Sequence, residues 1–473
     1  MEFRVEKDFL GELKIPANAY YGVQSLRAAE NFKITGITLS SNPTFIRALA
    51  YVKKAAAISN MKLENLDPSI GNAIVMACDK IVEGGYNDQF IVDMMQGGAG
   101  TSTNMNANEV IANLALELSG NHKAEYSKIN PNDHVNMSQS TNDAYPTAFR
   151  IALYICIEEL LEAIEILKKA FRKKENEFSK IIKLGRTQLQ DAVPMTLGQE
   201  FGAYAETIDE DMKRIKEARK LITEINMGAT AIGTGINSHI DYSDIICKEL
   251  RIITGIPLSL SRDFIEATQD TGAYIQVSGV LKRFAVKLSK ICNDLRLLSS
   301  GPRAGFNEIN LPPMQPGSSI MPGKVNPVIP EVVNQVAFQV VGNDITITMA
   351  AEAGQLELNV MEPVIAFRLF DTINILKNAS KTLSEKCING ITANEEVCRY
   401  YVENSIGLIT ALVPYLGYEV CSEIAKEALK NNTSVYQLVL QKNIISKESL
   451  DVILSPENMA GIRKKRDPKA NGK

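Results

Sequence analysis

Apolar residues recur along this chain at heptad-like spacing, and short polar clusters interrupt them. Leu153, Ile157, Leu160, Ile164, Leu167, Phe171 and Phe178 make one stripe. Phe201, Ile208, Ile215 and Ile222 make a second, with Tyr204, Ala218 and Ile225 between them. Val277, Leu281, Phe284, Leu288, Ile291, Leu295 and Leu298 make a third. A fourth follows Pro363: Ile365, Leu369, Thr372, Leu376, Ala379 and Leu383. This spacing predicts long amphipathic helices. The valine-rich stretch from Pro330 has strand-like composition, but its Val333, Val336, Val340 spacing and its length predict a helix. Rods of roughly 35 residues would be about 50 Å long. One small domain cannot cover such stripes, so the pattern predicts a bundle whose exposed faces bury in other subunits.

The flanks read differently. Gly11, Pro16, Gly22 and Gly36 break up residues 1–40, which are expected to be irregular. Helical spacing returns over Thr44–Asn60 and Pro68–Glu83, and a glycine-rich turn leads into a helix from about Met105 to Leu118. The first long helix is expected to start near Pro146. Beyond Cys387-Ile-Asn-Gly-Ile the pattern breaks into shorter helices. The expected fold is mainly α, with domains 1–142, 143–395 (the long-helix bundle) and 396–473.

Composition narrows the function classes. With 45% hydrophobic residues, 473 residues suffice for a sizeable core. The net charge of -4, with both signs interspersed, gives nucleic-acid binding no support. The basic run Arg463-Lys464-Lys465-Arg466 reads as a solvated tail. The seven cysteines are scattered and contain no CxxC pair, which points to neither a disulfide framework nor a zinc site. Free thiols, a charged N-terminus and no membrane-length apolar run predict a cytoplasmic protein.

Four polar clusters carry the candidate chemistry. They are Gly97–Thr101, Ser138–Asp143, Gly185–Asp191 and Gly317–Pro327. All are rich in hydroxyls and amides and poor in histidine; of His122, His134 and His239, only His134 sits at a cluster's edge. A Ser-His-Asp triad and metal chemistry therefore have little support. The glycine turn lacks the GxxxxGK[ST] order of a P-loop, so it reads as a carboxylate contact and not a nucleotide site. Ser140, Thr141 and Asn142 are expected at the mouth of a helix, with free amides beside them. Many neutral donors with one lysine suit a small dianion. Each donor aimed at a developing oxyanion is worth roughly 3 kcal/mol.

The last cluster reads Gly317-Ser-Ser-Ile-Met-Pro-Gly-Lys-Val-Asn-Pro327. Its glycines and prolines exclude a helix or central strand, and hinged glycines around a stiff, polar centre fit a mobile lid. The string resembles the GSSxMPxKxNP signature of the fumarase/aspartase superfamily, lyases that split fumarate off a substituted succinate. The resemblance runs from Asn18-Ala-Tyr-Tyr-Gly-Val to Cys387-Ile-Asn-Gly-Ile-Thr-Ala-Asn.

That resemblance implies a largely helical homotetramer built on a central bundle, with active sites shared between subunits and no organic cofactor. It implies that Ser318 accepts the C3 proton of the substrate. Thr101, Ser140, Thr141 and Ser319 match the residues that bind the β-carboxylate. Thr187, Lys324 and Asn326 match those that hold the α-carboxylate, and Asn142 and Gln188 those near the amino group. Fumarases usually carry histidine where this chain has Gln188. An imidazole helps a reluctant hydroxide leave, whereas ammonia departs more readily. Gln188 thus tilts the resemblance toward the ammonia-lyases, which convert L-aspartate to fumarate and ammonia. Gln139-Ser-Thr-Asn-Asp-Ala-Tyr-Pro-Thr, Asp191-Ala-Val-Pro-Met-Thr-Leu-Gly-Gln-Glu-Phe and Ala350-Ala-Glu-Ala-Gly-Gln-Leu-Glu-Leu-Asn-Val-Met-Glu-Pro point the same way. The alternative is a fumarase. A purely structural helical oligomer is the rival of another class, and the intact 317–327 loop argues against it.

Overall fold

The apolar stripes become five long helices: Thr141–Glu177, Leu197–Leu221, Gly272–Leu298, Val328–Glu352 and Glu362–Lys386. The computed structural model describes residues 2–459, so the basic run at 463–466 lies outside the described residues. The first helix has 37 residues and the other four 25 to 27, so only the first reaches the expected length. The valine-rich stretch from Pro330 is helical, as its spacing predicts.

By compactness the described chain divides into two units, each assembled from three stretches of sequence. The first takes Met1–Glu162, Met212–Ala285 and Phe338–Lys377. Its core is an aromatic nest of Phe45, Tyr145, Phe149, Tyr274 and Phe370, with ring centroids 4.6 to 5.4 Å apart for the closest pairs. Around it lie the Pro43–Lys62 and Pro68–Val82 helices, each started by a proline and capped by Asn42 or Asp67. The second unit takes Ala163–Asp211, Val286–Ala337 and Asn378–Lys473. Phe171, Phe178, Phe201 and Tyr204 form one of its cores. A second core gathers Leu184 with Val402, Leu408, Leu412, Ile424 and Val439 from the short C-terminal helices.

Three expectations are corrected. The start of the chain is not irregular: Phe3–Asp8 and Gly11–Pro16 pair as an antiparallel hairpin. Its pattern is inverted, with Glu6 buried while Phe3 and Val5 are exposed, and that conceals the strand. Glu6 is satisfied there by Arg4 and by the Val23 amide. Second, the helix expected from Met105 already starts at Thr101. Third, the first long helix starts at Thr141, and Pro146 sits inside it. Proline removes the bond that the Asn142 carbonyl would accept four residues back. The Asn226 side-chain amide supplies it instead, at 3.0 Å.

Candidate active site

Four of the ten expected site residues lie in the first unit and six in the second. In the first, Gly98, Ala99 and Gly100 all have positive φ, which turns the chain sharply into the Thr101–Leu118 helix. A Cβ on Gly100 would lie 2.3 Å from the buried Tyr145 ring, so the turn requires glycine there. Thr101 stands at the helix start with its hydroxyl on the Gly98 carbonyl, 2.8 Å away. Further along, the helix buries Asn104, Asn106, Asn108 and Asn113.

Ser140 and Asp143 form a reciprocal capping box at the start of the 37-residue helix. The Ser140 amide donates to Asp143 Oδ1 at 2.9 Å, and Ser140 Oγ accepts from the Asn142 amide at 3.2 Å. Thr141 Oγ1 accepts from Asn104 Nδ2 at 3.2 Å. An oxygen that accepts in this way keeps its own proton to give. Ser140 and Thr141 are therefore set up as donors at one helix N-terminus, the local environment an anion prefers.

Behind these hydroxyls lies Lys53, fully buried. Its ammonium donates to Asn104 Oδ1, Asn136 Oδ1 and Gln139 Oε1 at 2.7 to 3.0 Å. Burial pulls its pKa down, and burial likewise pushes the Asp143 carboxyl up against the opposing pull of backbone amides. A buried cation with three neutral acceptors is costly unless its field has a use. His134 is structural: its Nδ1 accepts the Asn130 amide at 2.9 Å.

In the second unit Thr187 ends one strand of the Ile182–Thr187, Gln190–Thr196 hairpin, and Gln188 and Leu189 make its tight turn. Both turn residues have positive φ, 56° and 59°. Such a turn normally takes Asn-Gly, so these side chains are held in strain, a recurrent feature of functional positions. The hairpin is anchored by buried Glu308, which pairs with Arg186 at 2.6 Å and Lys183 at 3.2 Å. The Arg186 guanidinium also covers the Phe306 ring at 4.1 Å.

The 317–327 loop closes on itself. The Gly317 amide donates to the Lys324 carbonyl and Asn326 Nδ2 to the Gly317 carbonyl, both at 2.7 Å. Ser318 Oγ accepts from the backbone amides of Ile320 and Met321, at 3.2 and 3.0 Å. Ser319 and Lys324 are exposed. Among the described residues no hydrogen bond joins this loop to the hairpin.

Sequence reasoning missed Lys53, Asn104, Glu308 and the segment Asn226–Ala231. The signal for the first pair is Asn104-Met-Asn-Ala-Asn108, an asparagine run inside an otherwise apolar helix. Lys53 gives no signal of its own. Among the described residues no group of three histidine, cysteine, aspartate or glutamate side chains forms a potential metal cluster.

Known proteins share this layout. A lyase family model matches residues 11–342, and a model of the fumarase C C-terminus matches 408–461. An aspartate ammonia-lyase from Helicobacter pylori is 61% identical over 96% of this chain and 97% of its own length. One from Escherichia coli is 56% identical, covering 96% of both chains. The crystal structure of a fumarate lyase:delta crystallin from Brucella melitensis bound to cobalt superposes with a TM-score of 0.95 at 54% identity, over 97% of this chain and all of the other. A class II fumarase from Schistosoma mansoni reaches 0.91 at 35% identity, over 97% and 99%. Likeness of this extent, in sequence and in fold, means that the chain belongs to the fumarase/aspartase family of lyases.

Proposed function

We propose that this chain is an aspartate ammonia-lyase, which eliminates ammonia from L-aspartate to give fumarate, reversibly. The observation that carries the mechanism is the Ser318 oxygen with two backbone amides aimed at it. A serine hydroxyl is a poor base; fixed N–H dipoles and a nearby ammonium stabilise its alkoxide. Lys324, in the same loop, supplies the charge.

Ser318 takes the C3 proton, and the electron pair moves into the β-carboxylate to make a dianionic enediolate. Thr101, Ser140, Thr141 and Ser319 donate to those oxygens. The cation of Lys53 favours the charge from behind. Thr187, Lys324 and Asn326 hold the α-carboxylate, while Asn142 and Gln188 face the amine. Collapse of the enediolate then expels ammonia. Neutral donors fixed in advance cost no reorganisation when the charge develops.

The working form is a homotetramer with shared sites. Its support is the exposed apolar face of the Val328–Glu352 helix, where Val332, Phe338, Ile345 and Met349 stand 42 to 68% exposed without a partner in the single chain. A cytoplasmic setting fits the seven free thiols. No helix among the described residues is long and apolar enough to cross a membrane.

The test is to incubate the protein with L-aspartate and, separately, with L-malate, following fumarate by its ultraviolet absorbance. Fumarate from aspartate alone is expected. Fumarate from malate alone would replace the reading with a hydratase, and fumarate from neither would remove it.

A further inference from the structure

The segment Asn226-Met-Gly-Ala-Thr-Ala-Ile-Gly-Thr-Gly235 belongs to none of the four polar clusters, yet it encloses Asn142. Asn142 Nδ2 donates to the Ala231 carbonyl at 2.7 Å. A main-chain carbonyl only accepts, so the amide nitrogen must face it and Oδ1 must face away. No donor among the described residues meets that oxygen. Asn226 Nδ2 holds the Asn142 carbonyl at 3.0 Å and Thr268 Oγ1 at 3.1 Å.

One side chain ties the Gly228–Thr230 turn of this segment to the long helix. Asp143 is fully buried, and its Oδ2 accepts from the amides of Gly228 and Thr230 at 3.1 and 3.0 Å. Its other oxygen serves the capping box at Ser140. Thr230 pays for this bond in conformation: it is β-branched with φ at 57°, and its buried hydroxyl has no partner among the described residues. The surroundings allow little play. A Cβ on Gly228 would lie 2.0 Å from Ser243 Oγ, and one on Gly233 2.4 Å from the Ile265 amide.

We infer that Asp143 is a positioning residue for the amino group of the substrate. It ties the Gly228–Thr230 turn to the start of the long helix, so that the Ala231 carbonyl holds the Asn142 carboxamide with its oxygen turned toward the amine. The inference rests on the aspartate reading above. An ammonium is a donor, and only the oxygen end of a carboxamide receives it. Were the carboxamide free to flip, its NH2 would oppose the ammonium about as often as its oxygen accepted it. Asp143 thus reaches the amine through Oδ2 and the turn, while its Oδ1 serves Ser140 at the β-carboxylate.

Those two routes make the test. The reverse reaction, with ammonia and fumarate, reads the two subsites separately. Asp143→Ala releases both the turn and the cap at Ser140, whereas Ser140→Ala removes a β-carboxylate donor and leaves the turn tied. The KM for ammonia should rise roughly tenfold in Asp143→Ala, the loss of about one hydrogen bond, and stay within about twofold in Ser140→Ala. The KM for fumarate should rise in both. Asn226→Ala should raise the ammonia KM by a smaller factor, and it carries the test should Asp143→Ala fail to fold. An ammonia KM that rises as much in Ser140→Ala as in Asp143→Ala, or one unchanged in folded Asp143→Ala or Asn226→Ala, would overturn the inference. Wild-type protein that makes no fumarate from aspartate would instead overturn the reading beneath it.

Discussion

Replacing Gly317 with alanine should disable the enzyme without unfolding it. Gly317 does not need positive φ, so the cost is one of space. A Cβ there would lie 2.6 Å from the Lys324 carbonyl oxygen, 2.8 Å from the Asn326 amide nitrogen and 3.0 Å from Asn326 Cγ. The nearest contact falls about 0.8 Å short of an ordinary van der Waals distance. Two of these three atoms are backbone, so no side-chain rotation relieves the clash. The base of the loop must open, which strains the bonds that Gly317 makes to Lys324 and Asn326. Ser318 is the next residue, and a shift of about 1 Å at a reacting group costs roughly 100-fold. The loop is exposed, so little core packing is lost, and Tm should move by less than about 2 °C. Initial rates of fumarate formation and a thermal melt on the same preparation decide it. Turnover within about threefold of wild type would show that the loop geometry does not set the base. The double variant Gly317→Ala, Ser318→Ala should be no slower than Ser318→Ala alone, because both changes remove one function.

Ser318→Ala alone should lower kcat by about 100-fold or more while leaving the melting curve unchanged, and near-normal turnover would take it out of the mechanism. Glu308→Ala should destabilise the second unit by about 3 kcal/mol, read from the urea midpoint. It strands the Arg186 guanidinium and leaves Lys183 with Glu200 alone; a loss below about 1 kcal/mol would mean that solvent reaches the site. Asp93 governs part of the acid limb. Burial alone would raise its carboxyl, but the Met95, Thr35 and Gly36 amides and the Thr35 hydroxyl outweigh it and hold it below 3.8. Its stabilisation is present above that unfolded value and is lost as pH falls through the lower folded one. Asp93→Asn should therefore weaken the protein at neutral pH and flatten its loss of stability below about pH 4. Parallel curves for the two proteins would refute this.

The helices and the loop signature were legible in the sequence for the same reason: both rest on local pattern. A stripe such as Leu153, Ile157, Leu160 and Ile164 needs one apolar face, and all four side chains are buried. The Gly317–Pro327 loop is closed by its own atoms, since the bonds at Gly317 and Ser318 run between its own residues. The N-terminal hairpin was hidden because Glu6, and not its apolar neighbours, turns inward. The start at Thr141 was hidden because Pro146 normally ends or opens a helix, and the group that repairs it, Asn226, lies far along the chain. Lys53 was hidden for a related reason. One of two adjacent lysines in an alanine-rich helix looks like a surface charge, and its three amide partners come from two other segments. What escaped was the set of polar groups that make sense only once distant stretches meet.

In the proposed mechanism the donors for the dianion and the base are held by different means. The donors at Ser140 and Thr141 depend on their surroundings: on Asp143, Asn104 and, behind them, Lys53. Ser318 depends on its own loop. Its two amides come from residues two and three positions ahead, and the loop's closing bonds run from Gly317 to Lys324 and Asn326. A loop held in this way can move as a body without losing the field at its serine, because the donors travel with the acceptor. A lid that carries a charged base must expose it to water whenever it opens. A serine whose alkoxide is favoured by backbone dipoles stays a neutral hydroxyl in that state, and gains its basicity only where water is excluded and those dipoles strengthen. In the proposed mechanism that division, fixed donors for the dianion and a self-contained flap for the proton, lets the chemistry proceed without histidine in the flap.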